Sequence, residues 1–394
     1  MNKQNKSSIF SATFYNNPEN RAIIYQIIAL AAIFMFTYFV INNMFINIEK
    51  RGITTGFDFL GNQAGFGILQ TLIPYQESDS HGRVFIVGLL NTVLVSAIGI
   101  FFASIIGLLV GVGRLSSNWM VSKLSMVYVE TFRNIPILLQ ILFWYNVVLA
   151  SLPSPKQSIS FFDSIFFNNR GLYIPKPLLE SGFIWVGIAF IIAIIAVVYL
   201  SNWAKKRHDE TGETFPLFFV SLAILIGSPL LVFLLSGSPA TLDYAKLTGF
   251  NFKGGWTLIP ELLALAFALS IYTATYIAEA VRAGIEAVPK GQKEAASALG
   301  LQDSVILKKV VLPQALRVII PPVINQYLNL VKNSSLATAI GYPELVTIFS
   351  GTSLNQVGQA VEIILMTMAV YLTLSILISI LMNYINSRMQ IKER

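Results

Sequence analysis

Catalysis needs acids, bases, nucleophiles or metal ligands close together, and this 394-residue sequence keeps them apart. It has no cysteine, which excludes thiol nucleophiles, thiolate zinc sites and disulfide frameworks. Its two histidines, His81 and His208, read as loop residues on opposite sides of a membrane, so neither a zinc set nor a catalytic triad can be assembled from them. There is no Gly-x-x-x-x-Gly-Lys-Ser/Thr phosphate loop, nor a Gly-Lys pair to build one. The chain is expected to bind no cofactor and no metal, and to hydrolyse no nucleotide by itself. Glu261 and Glu362 fall near the outer ends of apolar runs, where a carboxylate reaches the headgroup layer, and both read as structural. Lys332 lies deep within such a run, where an ammonium costs about 2.5–3.5 kcal/mol unless it faces protein or water. It is expected to face the interior, either in a structural ion pair or hydrogen bonds to helix carbonyls, or lining a path with Ser334 and Ser335.

One charged segment is too organised for an idle linker: Glu279-Ala-Val-Arg282-Ala-Gly284, then Pro289-Lys-Gly291-Gln292-Lys-Glu294-Ala295-Ala296-Ser-Ala-Leu-Gly300, and after nine more residues Val310-Val-Leu312-Pro313. Residues 292–299 suffice for about two helical turns. Three alanines make that helix slim enough for a partner's groove, and Gly300 suits the left-handed position that ends a helix. Asp303 or Ser304 is placed to cap a second helix, and Pro313 with Pro321-Pro322 is expected to break or bend the chain beyond it.

The elements that must position these residues follow from composition. Hydrophobic residues make up 55% of the chain and charged ones 12%, and the mean hydropathy is +0.66. A soluble chain carries about 25% charge, so this is a membrane protein. Apolar runs at 22–41, 84–113, 134–152, 182–204, 215–236, 257–278, 318–340 and 361–387 give eight candidate spans. Runs this long must satisfy their own backbone hydrogen bonds in lipid, so they are helices. The fold class is all-α and polytopic. Placing the N-terminus in the cytoplasm puts 18 Lys and Arg inside against eight outside, with Lys332 in a span, so both termini are expected to be cytoplasmic. The net charge of +7 is then an orientation signal and a match to the lipid bilayer; with no long basic run, no nucleic-acid partner is expected. The outer loops 42–83 and 153–181 are long, the second carries a stiff Pro-rich stretch around Pro175 and Pro177, and neither reads as a folded domain.

The segment from Glu294 to Pro313 resembles the signature of permease subunits of ATP-binding-cassette importers: Glu-Ala-Ala, three residues, Gly, nine residues, Ile, one residue, Leu-Pro. Val310 stands where the signature has Ile. The flanking residues, with Tyr128-Val-Glu130-Thr-Phe-Arg133-Asn134-Ile-Pro136 and Lys332-Asn-Ser334-Ser335, are similar to the polar-amino-acid branch. Gly65-Phe66 and Asn168-Asn-Arg170-Gly171-Leu-Tyr173-Ile-Pro175 resemble the general L-amino-acid importer's Q-type permease. The resemblance implies a five-helix permease core in residues 84–152 and 257–386, with the coupling loop at 279–317. Residues 1–83 would supply a tail, an anchor and a periplasmic loop, 153–256 an insertion with two extra helices, and 387–394 a second tail.

It also implies a bacterial inner-membrane location, import of polar L-amino acids, and a docking helix at Gly291, Gln292, Glu294, Ala295, Ala296 and Gly300, with Leu312 and Pro313. The partners would be a homologous permease in a heterodimer, an ATPase dimer that holds ATP and Mg, and a periplasmic binding protein. Glu130 and Arg133, three apart on one helical face, are expected to pair or to meet the ATPase at an elbow. The rival is a stand-alone channel or ion-coupled carrier, which would want buried carboxylates or broken helices in inverted repeats. A membrane-bound enzyme lacks acid, base and metal residues within the spans.

Overall fold

The computed structural model describes residues 18–50, 52 and 55–389, with side chains through 387. The tails counted in the orientation argument, with Lys3, Lys6, Lys392 and Arg394, lie outside the described residues, as do Arg51 and the side chain of Arg388. Twelve α-helices are described, interleaved with eight short strands: α1 Pro18–Lys50, α2 His81–Arg114, α3 Trp119–Asn134, α4 Ile137–Leu142, α5 Phe183–Thr211, α6 Leu217–Leu235, α7 Pro260–Glu286, α8 Lys290–Ala298, α9 Asp303–Ile306, α10 Leu312–Asn333, α11 Leu354–Val357 and α12 Ala360–Met389. Six of these, α1, α2, α5, α6, α7 and α12, are long and apolar enough to cross a membrane.

The third expected span is broken. Helices α3 and α4, the latter continued by a wide π turn over Phe143–Leu149, meet at 103°. The cause is Pro136: Ile135 before it takes an extended backbone, as a residue preceding proline must. Gln140 Nε2 spans the break by donating to the carbonyls of Phe132 at 2.8 Å and Ile135 at 3.0 Å. With the bent pair counted as one span the described residues give seven candidates, not the eight expected; the run 318–340 falls on α10, which carries a polar face, is not among those candidates, and continues through Pro321-Pro322. Those prolines were expected to break or bend the chain; inside a packed bundle neighbouring helices re-satisfy the freed backbone groups. Helix α9 starts after Gln302 with no side-chain cap, so neither Asp303 nor Ser304 plays that part.

Small residues set the core. Gly99, Ala103, Gly107 and Gly111 recur every four residues on the buried face of α2. A Cβ on Gly107 would lie 2.6 Å from Ile277 Cβ, and one on Gly111 would lie 2.8 Å from the Ala278 carbonyl, so these positions let α2 and α7 approach backbone to backbone. On the other side of α7, Gly284 admits Ile319 of α10. Helices α2 and α7 run parallel, and α10 returns antiparallel between them, with Ala315 and Ile319 near Gly284 and Leu330 near Gly99. Helix α1, by contrast, buries no residue, and α5 and α6 pack mainly on each other.

At the end of the bundle away from α8, segments 159–179 and 240–258 fold into a small β cap, although loop 153–181 was not expected to form a folded domain. Strands β1 Ile159–Phe161, β2 Ile165–Asn168 and β3 Gly171–Ile174 join β8 Trp256–Leu258 in one antiparallel sheet; β4 Lys176–Leu179 pairs with β5 Ala240–Asp243, and β6 Lys246–Thr248 with β7 Asn251–Lys253. The α5–α6 hairpin is thus inserted between two strands that pair directly. Phe166, Tyr173 and Phe252 stack into a core for the cap, with centroid separations of 4.6 and 4.8 Å to Phe252. Pro177 lies in a two-stranded ribbon, where a missing N–H does little harm.

Candidate functional site

Three groups of residues position the expected functional side chains. At one end, α8 projects from the bundle. Gly300, with φ +73°, ends it in the left-handed conformation, as its type suggested. Gly291, Gln292, Glu294 and Ala295 are exposed, and so is Leu299, at 80%. Ala296 is the exception: it is buried in the main hydrophobic cluster with Val288, Ile306 and Val311, so it holds α8 to its own chain and offers nothing to a partner. Leu312 is exposed and Pro313 half-buried in the first turn of α10. Behind α8, Glu279 bridges Arg114 of α2 and Arg282, the latter at 2.5 Å, and Arg282 also pairs with Glu286. This chain of alternating charges ties α2 to α7 where the chain leaves α7 toward α8.

The second group lies halfway through the bundle. Leu330 touches Gly99, the midpoint of α2, which puts Lys332 at mid-depth. Lys332 is exposed, and no carboxylate pairs with it among the described residues. The expectation that it turns inward is therefore wrong for the single chain. With Asn325 and Asn329 at the preceding helical positions, it forms an exposed polar stripe down α10. Beside the stripe a groove of about 270 Å³ is lined by Tyr272, Thr273 and Tyr276 of α7 and by Gln326, Asn329 and Asn333 of α10. Tyr272 and Tyr276 share a 2.9 Å hydrogen bond, and the Arg133 guanidinium lies 5.4 Å above the Tyr276 ring. Arg133 thus joins the groove instead of pairing with Glu130, which is exposed and whose carbonyl accepts from Asn134 at 2.6 Å. Ser335 donates to the Lys332 carbonyl at 2.7 Å and is half-buried; Ser334 is fully buried, donating to Val331, and does not line the stripe.

The third group escaped the sequence reading. Glu344 is fully buried between α2 and α12, although spanning carboxylates were expected only at the rim. It accepts from the amides of Val346 at 3.0 Å and Thr347 at 2.8 Å, from Tyr371 at 2.8 Å and, at 3.4 Å, from Thr92. Asn91 Nδ2 holds the adjoining Pro343 carbonyl at 2.8 Å. Glu344 fastens the turn after α10 to α2 and α12, which is a structural task. The rim carboxylates behave as expected: Glu261 accepts from Tyr145, and Glu362 from the Gly56 amide, each at 2.8 Å. The histidines do not lie in loops. His81 begins α2, buried, with Nδ1 2.9 Å from Ser353 Oγ, and His208 lies in the last turn of α5. Among the described residues no group of three His, Asp or Glu could hold a metal.

The sequence model of the binding-protein-dependent transport system inner membrane components matches residues 191–391. Over 389 residues the chain is 53% identical to the putative amino-acid ABC transporter permease protein YhdX of Escherichia coli, covering 99% of both. The chain belongs to this family. It is also 50% identical to the general L-amino acid transport system permease protein AapQ of Rhizobium johnstonii, over 98% of this chain and 96% of that one. The probable glutamine ABC transporter permease protein GlnM of Bacillus subtilis aligns over 97% of its own length but only 58% of this chain, at 31% identity. As an inner-membrane-component family member the chain is a multi-pass permease subunit, a transport component.

Proposed function

We propose that the chain is one half of the path by which polar L-amino acids enter a bacterium across the inner membrane, with both termini in the cytoplasm and a homologous permease as the other half. The stripe Asn325, Asn329 and Lys332 carries this reading. Left against lipid, Lys332 alone would cost about 2.5–3.5 kcal/mol, whereas a water-lined seam against a second subunit removes that cost and gives a substrate carboxylate a cation to meet. Exposed Glu294, Ala295 and Leu299 would seat α8 on a cytoplasmic ATPase that holds ATP and Mg. The Arg114–Glu279–Arg282–Glu286 chain would pass the ATPase's closure to α2 and α7. A periplasmic binding protein would deliver cargo to the opposite end.

The test is reconstitution in proteoliposomes of the chain with its partner permease, ATPase and binding protein. L-Glutamine uptake should require all four components and ATP, and should be lost in Lys332→Leu. Uptake by this chain alone without ATP would replace the reading with a stand-alone channel or carrier.

A further inference from the structure

Between the β cap and the outer ends of the helices lies a second cavity, of about 700 Å³, within the range of small-molecule sites. Its walls carry a cation, Arg170, and an anion, Glu261, with Tyr145 and the amides of Asn146, Asn169 and Asn251. The two charges face one space without pairing to each other, and no other carboxylate pairs with Arg170 among the described residues. One oxygen of Glu261 accepts from Tyr145 at 2.8 Å, which fixes the carboxylate, and no donor among the described residues engages the other oxygen.

The Arg170 side is also built. Asn168, 1% exposed, accepts from the Arg170 amide at 2.8 Å and donates to Ser158 Oγ at 3.0 Å. Gly171 then turns the chain with φ +125°, and a Cβ there would lie 2.2 Å from the Leu258 carbonyl, so only glycine fits. Tyr173 closes the floor by donating to Asn251 at 2.9 Å; burial raises its hydroxyl above the ordinary value and keeps it a donor. This is the Asn-Asn-Arg-Gly-Leu-Tyr segment that the permease mechanism leaves unused.

We propose that this cavity is a binding site for free α-amino acids at the outer mouth of the permease, Arg170 taking the carboxylate and Glu261 the ammonium. A cation and an anion lining one cavity without pairing complement a small zwitterion and penalise ions of a single sign, each of which leaves one protein charge uncompensated. The proposal rests on the amino-acid permease reading for the source of the ligand, and on the charge pattern for its class.

The experiment is calorimetric titration of the full chain, held in lipid nanodiscs without ATPase or binding protein, with L-glutamine. Arg170→Gln and Glu261→Gln should each weaken binding about tenfold or more, the loss of one charge-assisted contact. Glutaramate, which lacks the ammonium, and the decarboxylated amine of glutamine should bind the native chain at least that much more weakly. Gln at 261 keeps an acceptor for Tyr145, and residue 170 is exposed, so both variants fold; Arg170→Lys, which keeps the charge, should recover part of the affinity. Binding should survive Lys332→Leu even though uptake does not. The proposal is overturned if the native chain takes up no glutamine, if the two Gln variants bind as the native chain does, if either singly charged analogue binds as tightly, or if Lys332→Leu abolishes binding and the outer variants leave it intact. Failure of the importer reading would show instead in the proteoliposomes, with titration unaffected.

Discussion

Helices α7 and α6 are both read as spans, yet in the most apolar 18-residue window of each, 67% of α7 is buried inside the chain and none of α6. The more apolar helix is the less buried one. Lipid offers an apolar residue as good a surroundings as protein does, so apolar character alone brings no helix into the core. What does is smallness and polarity at helical spacing: Gly99, Ala103, Gly107 and Gly111 on α2, and Ser270, Thr273, Ala274 and Ala278 on α7, are buried where the two backbones meet. Helices α1 and α6 bury no residue and α5 only Ala193 and Ala204, so these three stay largely exposed.

This contrast is open to direct attack. The largest effect is expected from Gly107→Leu, whose side chain must enter space held by Ile277 and the Ala274 carbonyl. Overpacking of this kind costs about 1–3 kcal/mol or more, and backbone on one side leaves little room to relax, so the variant should be largely lost from the membrane on quantitative blotting. Next is Glu344→Ala, which strands the amides of Val346 and Thr347 and the Tyr371 hydroxyl in a dry site. A loss of about 2–4 kcal/mol should appear as a lower melting midpoint in detergent, while Glu362→Ala at the rim should change it little. Asn329→Leu and Lys332→Leu should leave the melting midpoint near that of the native chain and cut glutamine uptake about tenfold or more. The smallest effect belongs to Gly227→Leu in α6, where nothing lies within 4 Å of an added Cβ; its melting midpoint should match the native one.

Much of the helical scaffold was legible because a lipid-spanning helix needs a run of apolar residues, and such runs are easily seen. The broken third span could have been read as well, since Pro136 lies near the start of its run. Other features were hidden for physical reasons. The β cap consists of strands of three or four residues, too short for alternation to register. Glu344 lies beyond the apolar run that ends at residue 340, so hydropathy does not mark it as a buried charge. In the sequence Lys332 groups with its neighbours Ser334 and Ser335, whereas the helix sets it with Asn325 and Asn329 on an exposed polar stripe, opposite to its expected direction. Ala296 was assigned to a partner because it is small, but smallness serves close packing against its own chain equally well, and only the fold at Val288, Ile306 and Val311 separates the two uses.

The central claim is that the exposed side of α8 is where this permease meets its ATPase. The sequence contains no cysteine, so Leu299→Cys gives a unique thiol at the exposed end of that helix, and Phe250→Cys gives one in the β cap at the opposite end of the bundle. In vesicles holding the assembled transporter, a short thiol-to-amine cross-linker should join the thiol at 299 to the ATPase and the thiol at 250 not at all. Cross-linking at 250 with none at 299 would contradict the account.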